Sequence, residues 1–120
     1  MNTVRTLVVD DATFIRKMLG QILTRSEFEV VGEAENADEA MSRYEELAPD
    51  LVIMDIMMPG TSGIEAVIEI RRKHPEALIV MCSALGLESV VKQALNAGAK
   101  DYIIKPFMPD QVLQKLREVV

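Results

Sequence analysis

Five side chains suited to phosphate chemistry stand at or just after the ends of short apolar segments in this sequence. Asp10 and Asp11 follow one segment and Asp55 follows another, while Ser83 and Lys105 follow two more. Three carboxylates brought together would repel one another, and a divalent cation such as Mg²⁺ removes that repulsion while also binding phosphate oxygens. A lysine ammonium and a serine hydroxyl can contact the remaining phosphoryl oxygens. The set therefore indicates phosphoryl transfer in which one aspartate acts as the nucleophile.

The segments that would position these residues alternate regularly along the chain. Short runs rich in Val and Ile alternate with longer stretches of helical period, which predicts five strands and five helices in strict βα order. Three of the runs are apolar almost throughout, as expected of strands that are covered on both faces. The predicted strands are 6–9, 29–31, 51–54, 78–81 and 102–104.

The stretches between the predicted strands carry helix start and stop signals. Asn36 and Ser62 each precede a glutamate by three residues, which is the spacing of a capping box at a helix start. Gly98 stands where a left-handed residue would end the fourth helix. Pro109 suits the first position of the last helix.

This alternation predicts one α/β domain over residues 1–120, with a parallel sheet and helices on both of its faces. We adopt the strand order 2-1-3-4-5 by analogy with doubly wound sheets, because the pattern alone does not determine it. In such sheets the functional site lies at the carboxyl ends of the strands. We therefore expect the five side chains named above to meet at one edge of the sheet.

Composition argues against several other classes of protein. The net charge of −6 and the aromatic content of 4%, with no Trp, disfavour binding to nucleic acids. The single cysteine allows no intramolecular disulfide and favours a reducing, cytoplasmic setting. The longest apolar stretch, 77–87, is too short to cross a membrane, so we expect no membrane attachment. Both glycine-rich phosphate-binding motifs are missing, which disfavours nucleotide binding.

Several motifs taken together resemble the receiver domain of two-component response regulators. Their order and spacing match that family over the whole chain, and segments 10–16 and 82–86 are most similar to the chemotaxis receivers. The resemblance implies a flavodoxin-like (βα)5 fold with strand order 2-1-3-4-5. The matching motifs are Val9-Asp10-Asp11, Met54-Asp55-Ile56-Met57-Met58-Pro59-Gly60, Cys82-Ser83-Ala84, Ala97-Gly98-Ala99-Lys100-Asp101-Tyr102 and Lys105-Pro106-Phe107.

The resemblance implies a phosphoacceptor and a metal site. Asp55 matches the residue that accepts the phosphoryl group. Asp10, Asp11, Asp55 and the backbone carbonyl of Met57 match the ligands of Mg²⁺, for which Mn²⁺ would be a substitute. Where Met57 stands, some relatives carry a polar side chain that steers water, so this position bears on the lifetime of the phosphoryl group.

The resemblance also implies phosphoryl contacts and a switch. Ser83 and Lys105 match the residues that contact the phosphoryl group, and the Lys105–Pro106 peptide bond is cis in the family. Ser83 stands where many relatives have threonine. Ser83 and Tyr102 match the pair that changes position on phosphorylation and reshapes a partner face. The residues expected on that face are Val91, Leu95, Tyr102, Ile104 and Lys115.

By the same resemblance, a chemotaxis-type histidine kinase would supply the phosphoryl group and a flagellar motor switch protein would be the target. A phosphatase is a further expected partner. The chain would be a cytoplasmic, monomeric signalling protein instead of an enzyme, with only self-phosphorylation and autodephosphorylation chemistry. Since the last helix pattern runs to the end of the sequence, we expect no output domain.

Three alternatives remain open at this point. The chain could be the receiver of a longer transcriptional regulator or methylesterase. It could be a phosphatase of the haloacid-dehalogenase type, although such an enzyme needs a second carboxylate two residues after the nucleophile, where Met57 stands. It could also be a degenerate receiver that binds partners without being phosphorylated.

Overall fold

The computed structural model describes residues 3–58, 60–84 and 88–120. Within these ranges, five strands alternate with five helices, as the sequence pattern predicts. The strands are β1 (Val4–Val9), β2 (Phe28–Ala34), β3 (Leu51–Asp55), β4 (Ile79–Ala84) and β5 (Asp101–Lys105). The helices are α1 (Thr13–Leu23), α2 (Ala37–Leu47), α3 (Gly63–Lys73), α4 (Glu88–Ala97) and α5 (Pro109–Val119).

The strands form one parallel sheet in the order β2-β1-β3-β4-β5, which confirms the order adopted by analogy. Strand β2 is longer than the predicted 29–31, because it lies at the sheet edge and its exposed Glu29 and Glu33 interrupt the apolar pattern. Strands β4 and β5 extend far enough to include Ser83 and Lys105, which were expected at their ends.

Two apolar clusters cover the two faces of the sheet. On one face α2, α3 and α4 pack through residues such as Tyr44, Ile70 and Ala94. On the other face α1 and α5 pack through residues such as Leu19 and Leu116. Successive side chains of a strand point to opposite faces. Because both faces are covered, the central strand β3 is buried along its whole length, which explains its apolar run Leu51–Met54.

The residues predicted to start or end helices adopt the expected positions. The Asn36 side chain accepts a hydrogen bond from the Glu39 amide at 2.9 Å, and Ser62 starts α3 in the same way. Gly98 follows α4 with a φ of +124°, and Pro109 is the first residue of α5. Among the helices described here, none has the length and apolar character needed to cross a membrane.

Candidate functional site

The parallel sheet brings the predicted acidic residues together at one edge. Asp10 lies one residue beyond β1, and Asp55 is the last residue of β3, its neighbour in the sheet. Carboxylate oxygens of Asp10, Asp11 and Asp55 all lie within 4.8 Å of one another. Asp10 and Asp55 are buried whereas Asp11 is exposed, so the cluster faces solvent on one side.

Lys105 connects the two buried carboxylates. Its Nζ atom lies 3.2 Å from Asp10 Oδ2 and 3.3 Å from Asp55 Oδ1. Lys105 is the last residue of β5, two strands away from β3, and its long side chain reaches back across the edge of the sheet. The peptide bond after it, to Pro106, is cis, as the resemblance implied.

The electrostatics of the cluster favour a divalent cation. Burial raises the pKa of Asp55, the neighbouring charge of Asp10 raises it further, and the Lys105 ammonium opposes both effects. Burial disfavours the charge on Lys105, but the carboxylates of Asp55 and Asp10 outweigh it, so the pKa of Lys105 rises. One ammonium contacts two of the three carboxylates, and the excess negative charge on hard oxygen donors suits Mg²⁺.

Backbone amides hold both buried carboxylates in orientation. Asp10 Oδ1 accepts a hydrogen bond from the Ala12 amide at 2.9 Å, and Asp55 Oδ1 accepts one from the Met57 amide at 3.3 Å. The Met57 amide and the Lys105 ammonium therefore both contact the same oxygen of Asp55, Oδ1. Met57 is 64% exposed, so the residue whose amide binds Asp55 carries an apolar side chain in contact with solvent.

Gly63 lets helix α3 approach the backbone of Asp55 very closely. Its amide donates a hydrogen bond to the Ile56 carbonyl at 2.8 Å. A Cβ atom at this position would lie 2.1 Å from the Asp55 carbonyl oxygen and 2.8 Å from the Ile56 Cα. The sequence placed Gly63 in a capping box, but its contact with the acceptor strand depends on the packing of α3 and has no local signal.

Replacing Gly63 by alanine should therefore destabilise the fold and displace the Asp55 segment. Overpacking of this kind typically costs about 1–3 kcal/mol, and we expect the free energy of unfolding to fall by at least about 1 kcal/mol. Urea denaturation measures the change. Gly20→Ala in α1 is the matched control, because a Cβ there meets nothing within 4 Å. Equal stability of the Gly63→Ala variant and the wild type would contradict the close approach.

Ser83 and Tyr102, the predicted switch pair, line the same cavity. Ser83 is 2% exposed in β4, one residue beyond Cys82, the register partner of Asp55. Its hydroxyl donates a hydrogen bond to the Ala84 carbonyl at 3.0 Å. A cavity of about 300 Å³, which Ser83 and Tyr102 both border, lies between α4 and the ends of β4 and β5. Cys82 itself is 1% exposed, and burial raises the pKa of its thiol.

The predicted partner face lies along α4, β5 and α5. Leu95 and Ile104 are 38% and 40% exposed, so both stand on the surface of this face. The Lys115 ammonium lies 5.1 Å from the centroid of the Tyr102 ring. Val91 differs from the expectation, since it is 8% exposed and packs within the core cluster under α4. It therefore lies beneath this face and borders the cavity instead of standing on the surface.

Some residues of the matching motifs lie outside the described ranges. This applies to Pro59 in the segment after Asp55 and to residues 85 and 86 of the chemotaxis-like segment. The metal-binding and phosphoryl-contacting side chains predicted from the sequence all lie within the described ranges.

Comparison with known proteins identifies the family. The family model of the response regulator receiver domain matches residues 6–117. This chain belongs to the response regulator receiver family. A protein named chemotaxis protein CheY from Thermotoga maritima is 50% identical over 115 residues, which cover 96% of each chain. A CheY from Bacillus subtilis is 50% identical over 116 residues, or 97% of each chain.

A solved structure and a longer relative complete the comparison. The structure of a CheX–CheY–BeF3–Mg complex from Borrelia burgdorferi has a TM-score of 0.92 and 37% identity, covering 98% of this chain and 90% of that one. The transcriptional regulatory protein ResD from Bacillus subtilis is 41% identical, but the match covers only 49% of its length. Receiver domains of this sequence type thus occur both in proteins of similar length and in longer regulators. Membership of this receiver family favours a signalling role over the haloacid-dehalogenase interpretation.

Proposed function

We propose that this chain is a chemotaxis response regulator that accepts a phosphoryl group on Asp55 from a histidine kinase. The observation that carries the proposal is the contact of Lys105 with both Asp10 and Asp55 inside the acidic cluster. An ion pair with a purely structural role would need only one carboxylate. The Lys105 ammonium instead contacts two carboxylates, and the third, that of Asp11, lies exposed beside them. The two CheY relatives, which match nearly the whole chain, support chemotaxis as the pathway.

The donor set fits Mg²⁺, and Mn²⁺ would suit the same oxygens. Asp10, Asp11 and Asp55 would hold the cation, with the Met57 backbone carbonyl as a further ligand. When bound, the cation supplies positive charge that neutralises the carboxylates and the phosphoryl oxygens. Lys105, which contacts Asp10 and Asp55, would supply a second positive charge.

Asp55 would act as the nucleophile. The hydrogen bonds from Met57 and the Lys105 contact fall on Oδ1, which leaves Oδ2 for attack on phosphorus. The new O–P bond would form as the P–N bond to the donor histidine breaks, and the departing imidazole nitrogen takes the electron pair of that bond and a proton from water. The raised pKa of Asp55 reflects a carboxylate that solvent stabilises poorly, which favours its reaction.

The phosphoryl group would then act on the switch pair. Ser83 would exchange its hydrogen bond to the Ala84 carbonyl for one to a phosphoryl oxygen, which is a stronger, charge-assisted bond. Tyr102 would move into the cavity that both residues border. The change would alter the face bearing Leu95, Ile104 and Lys115, to which a flagellar motor switch protein would bind.

Other partners and the cellular setting belong to the same proposal. We propose that this receiver domain acts in the cytoplasm as a monomer. We also propose a phosphatase as a second partner, since the Borrelia burgdorferi relative was solved in complex with CheX. The chemistry of the chain itself would be limited to self-phosphorylation and autodephosphorylation.

The metal site provides a direct test of this function. Wild-type protein should gain one phosphoryl group from acetyl phosphate only when Mg²⁺ is present, and Asp11→Ala should bind Mg²⁺ about tenfold more weakly, because one charged oxygen ligand is lost. Isothermal titration calorimetry gives the affinity and intact-mass spectrometry gives the uptake. Glu76→Ala is the control, since Glu76 is an exposed acidic residue at the opposite edge of the sheet. Equal Mg²⁺ affinity in Asp11→Ala and Glu76→Ala would refute the site.

A further inference from the structure

Arg16 joins three elements beside the acidic cluster. It lies on α1, and its side chain is 11% exposed. Nη1 donates to the backbone carbonyl of Asp10, Nη2 donates to Thr13 Oγ1 at 3.1 Å, and Nε donates to Glu33 Oε1 at 2.8 Å. The planar guanidinium therefore uses three different nitrogen atoms on three partners, an arrangement that a lysine ammonium cannot reproduce.

These contacts fix the segment from which the acidic pair projects. Asp10 leaves β1 with its amide bonded to the Ala34 carbonyl of β2, while its own carbonyl is bonded to Arg16. The side chain of Asp10 is held separately, by Ala12 and Lys105. Arg16 thus holds the peptide plane between Asp10 and Asp11. The orientation of that plane affects the direction in which the Asp11 side chain projects.

We propose that Arg16 is a positioning residue for the divalent-cation site, acting through the backbone between Asp10 and Asp11. This inference rests on the proposed function, because it concerns the metal site described there. A cation that takes oxygens from both adjacent carboxylates requires their relative orientation to be set before it binds. Residues that orient metal ligands in this way typically change metal affinity by about 10–100-fold when they are lost.

The positive charge of Arg16 and its positioning role predict opposite changes in Mg²⁺ affinity when Arg16 is replaced. A guanidinium near a cation site repels the cation, so its removal should strengthen Mg²⁺ binding if charge alone matters. If Arg16 acts by position, its removal should weaken Mg²⁺ binding despite the more negative surroundings. The sign of the change therefore separates the two effects.

The experiment is calorimetric titration of Mg²⁺ into Arg16→Gln, Arg16→Lys and Glu33→Gln, with thermal unfolding measured for each. We expect about tenfold weaker binding for Arg16→Gln and an intermediate loss for Arg16→Lys, which keeps the charge but not the three contacts. Glu33→Gln should bind within about twofold of the wild type, because the bond from Arg16 to the Asp10 carbonyl remains. The Arg16→Lys variant decides the matter if Arg16→Gln fails to fold.

Unchanged or tighter Mg²⁺ binding in both Arg16 variants would overturn the inference. Asp11→Ala distinguishes this failure from a failure of the proposed function. If Asp11→Ala loses affinity while the Arg16 variants do not, the metal site stands and the positioning role is wrong. If Asp11→Ala also binds Mg²⁺ like the wild type, the site itself is wrong and the role of Arg16 falls with it.

Discussion

Asp55→Asn should abolish phosphoryl uptake from acetyl phosphate in the presence of Mg²⁺. The amide has nearly the same shape as the carboxylate and can still accept the hydrogen bond from the Met57 amide. It lacks the charged oxygen that attacks phosphorus, and it removes one negative ligand from the acidic cluster. Intact-mass spectrometry over a time course measures the uptake, and we expect no added phosphoryl mass where the wild type gains one.

This prediction requires that the Asp55→Asn variant is folded. The pKa of Asp55 is raised by burial and by Asp10, so a neutral side chain relieves an unfavourable charge and the variant should remain folded. Circular dichroism checks this point. Label that appears in Asp55→Asn at the wild-type rate, and that peptide mapping places in the same segment, would show that the acceptor has been misassigned.

Ser83→Ala should accept a phosphoryl group but fail to signal. Asp55 and its cation do not need the hydroxyl to begin the reaction, whereas the phosphorylated state gains a charge-assisted hydrogen bond worth roughly 1.5–3 kcal/mol. Because this bond exists in one state only, its loss shifts the equilibrium between the two states. Losing about 2 kcal/mol would lower the ratio of active to inactive molecules roughly thirty-fold.

The measurement is the affinity of each fully phosphorylated variant for the flagellar motor switch protein that we propose as the target. Ser83→Ala should bind as weakly as unphosphorylated wild type. Ser83→Thr is the matched control, because it keeps the hydroxyl and places its added methyl group beside the cavity of about 300 Å³. An affinity of phosphorylated Ser83→Ala equal to that of the phosphorylated wild type would refute the coupling between Ser83 and the partner face.

The elements and the acidic edge were predictable because they depend on local pattern. Apolar runs located each strand, and parallel topology then placed Asp10 and Asp55 together. How deeply each side chain is buried was harder to predict from the sequence. Val91 and Leu95 are four residues apart on one side of α4, yet Val91 is 8% exposed and Leu95 is 38% exposed. Periodicity shows which residues share a helix face, but not how deeply the sheet and neighbouring helices cover each of them.

Contacts between distant segments account for what the sequence did not reveal. The approach of Gly63 to Asp55 depends on how α3 returns to the sheet. The bond from Arg16 to Glu33 depends on β1 and β2 being neighbours. The strand order itself came from analogy, since many orders satisfy the same alternation of strands and helices.

The burial of Cys82 makes this protein convenient for spectroscopic labelling. It is the single cysteine of the chain, it is 1% exposed, and burial raises the pKa of its thiol, so a maleimide reagent would leave it unmodified in the native protein. A cysteine introduced at Leu95 would then be the reactive thiol. A fluorophore or spin label attached there would follow the proposed rearrangement of the partner face in real time, with the native thiol left in place.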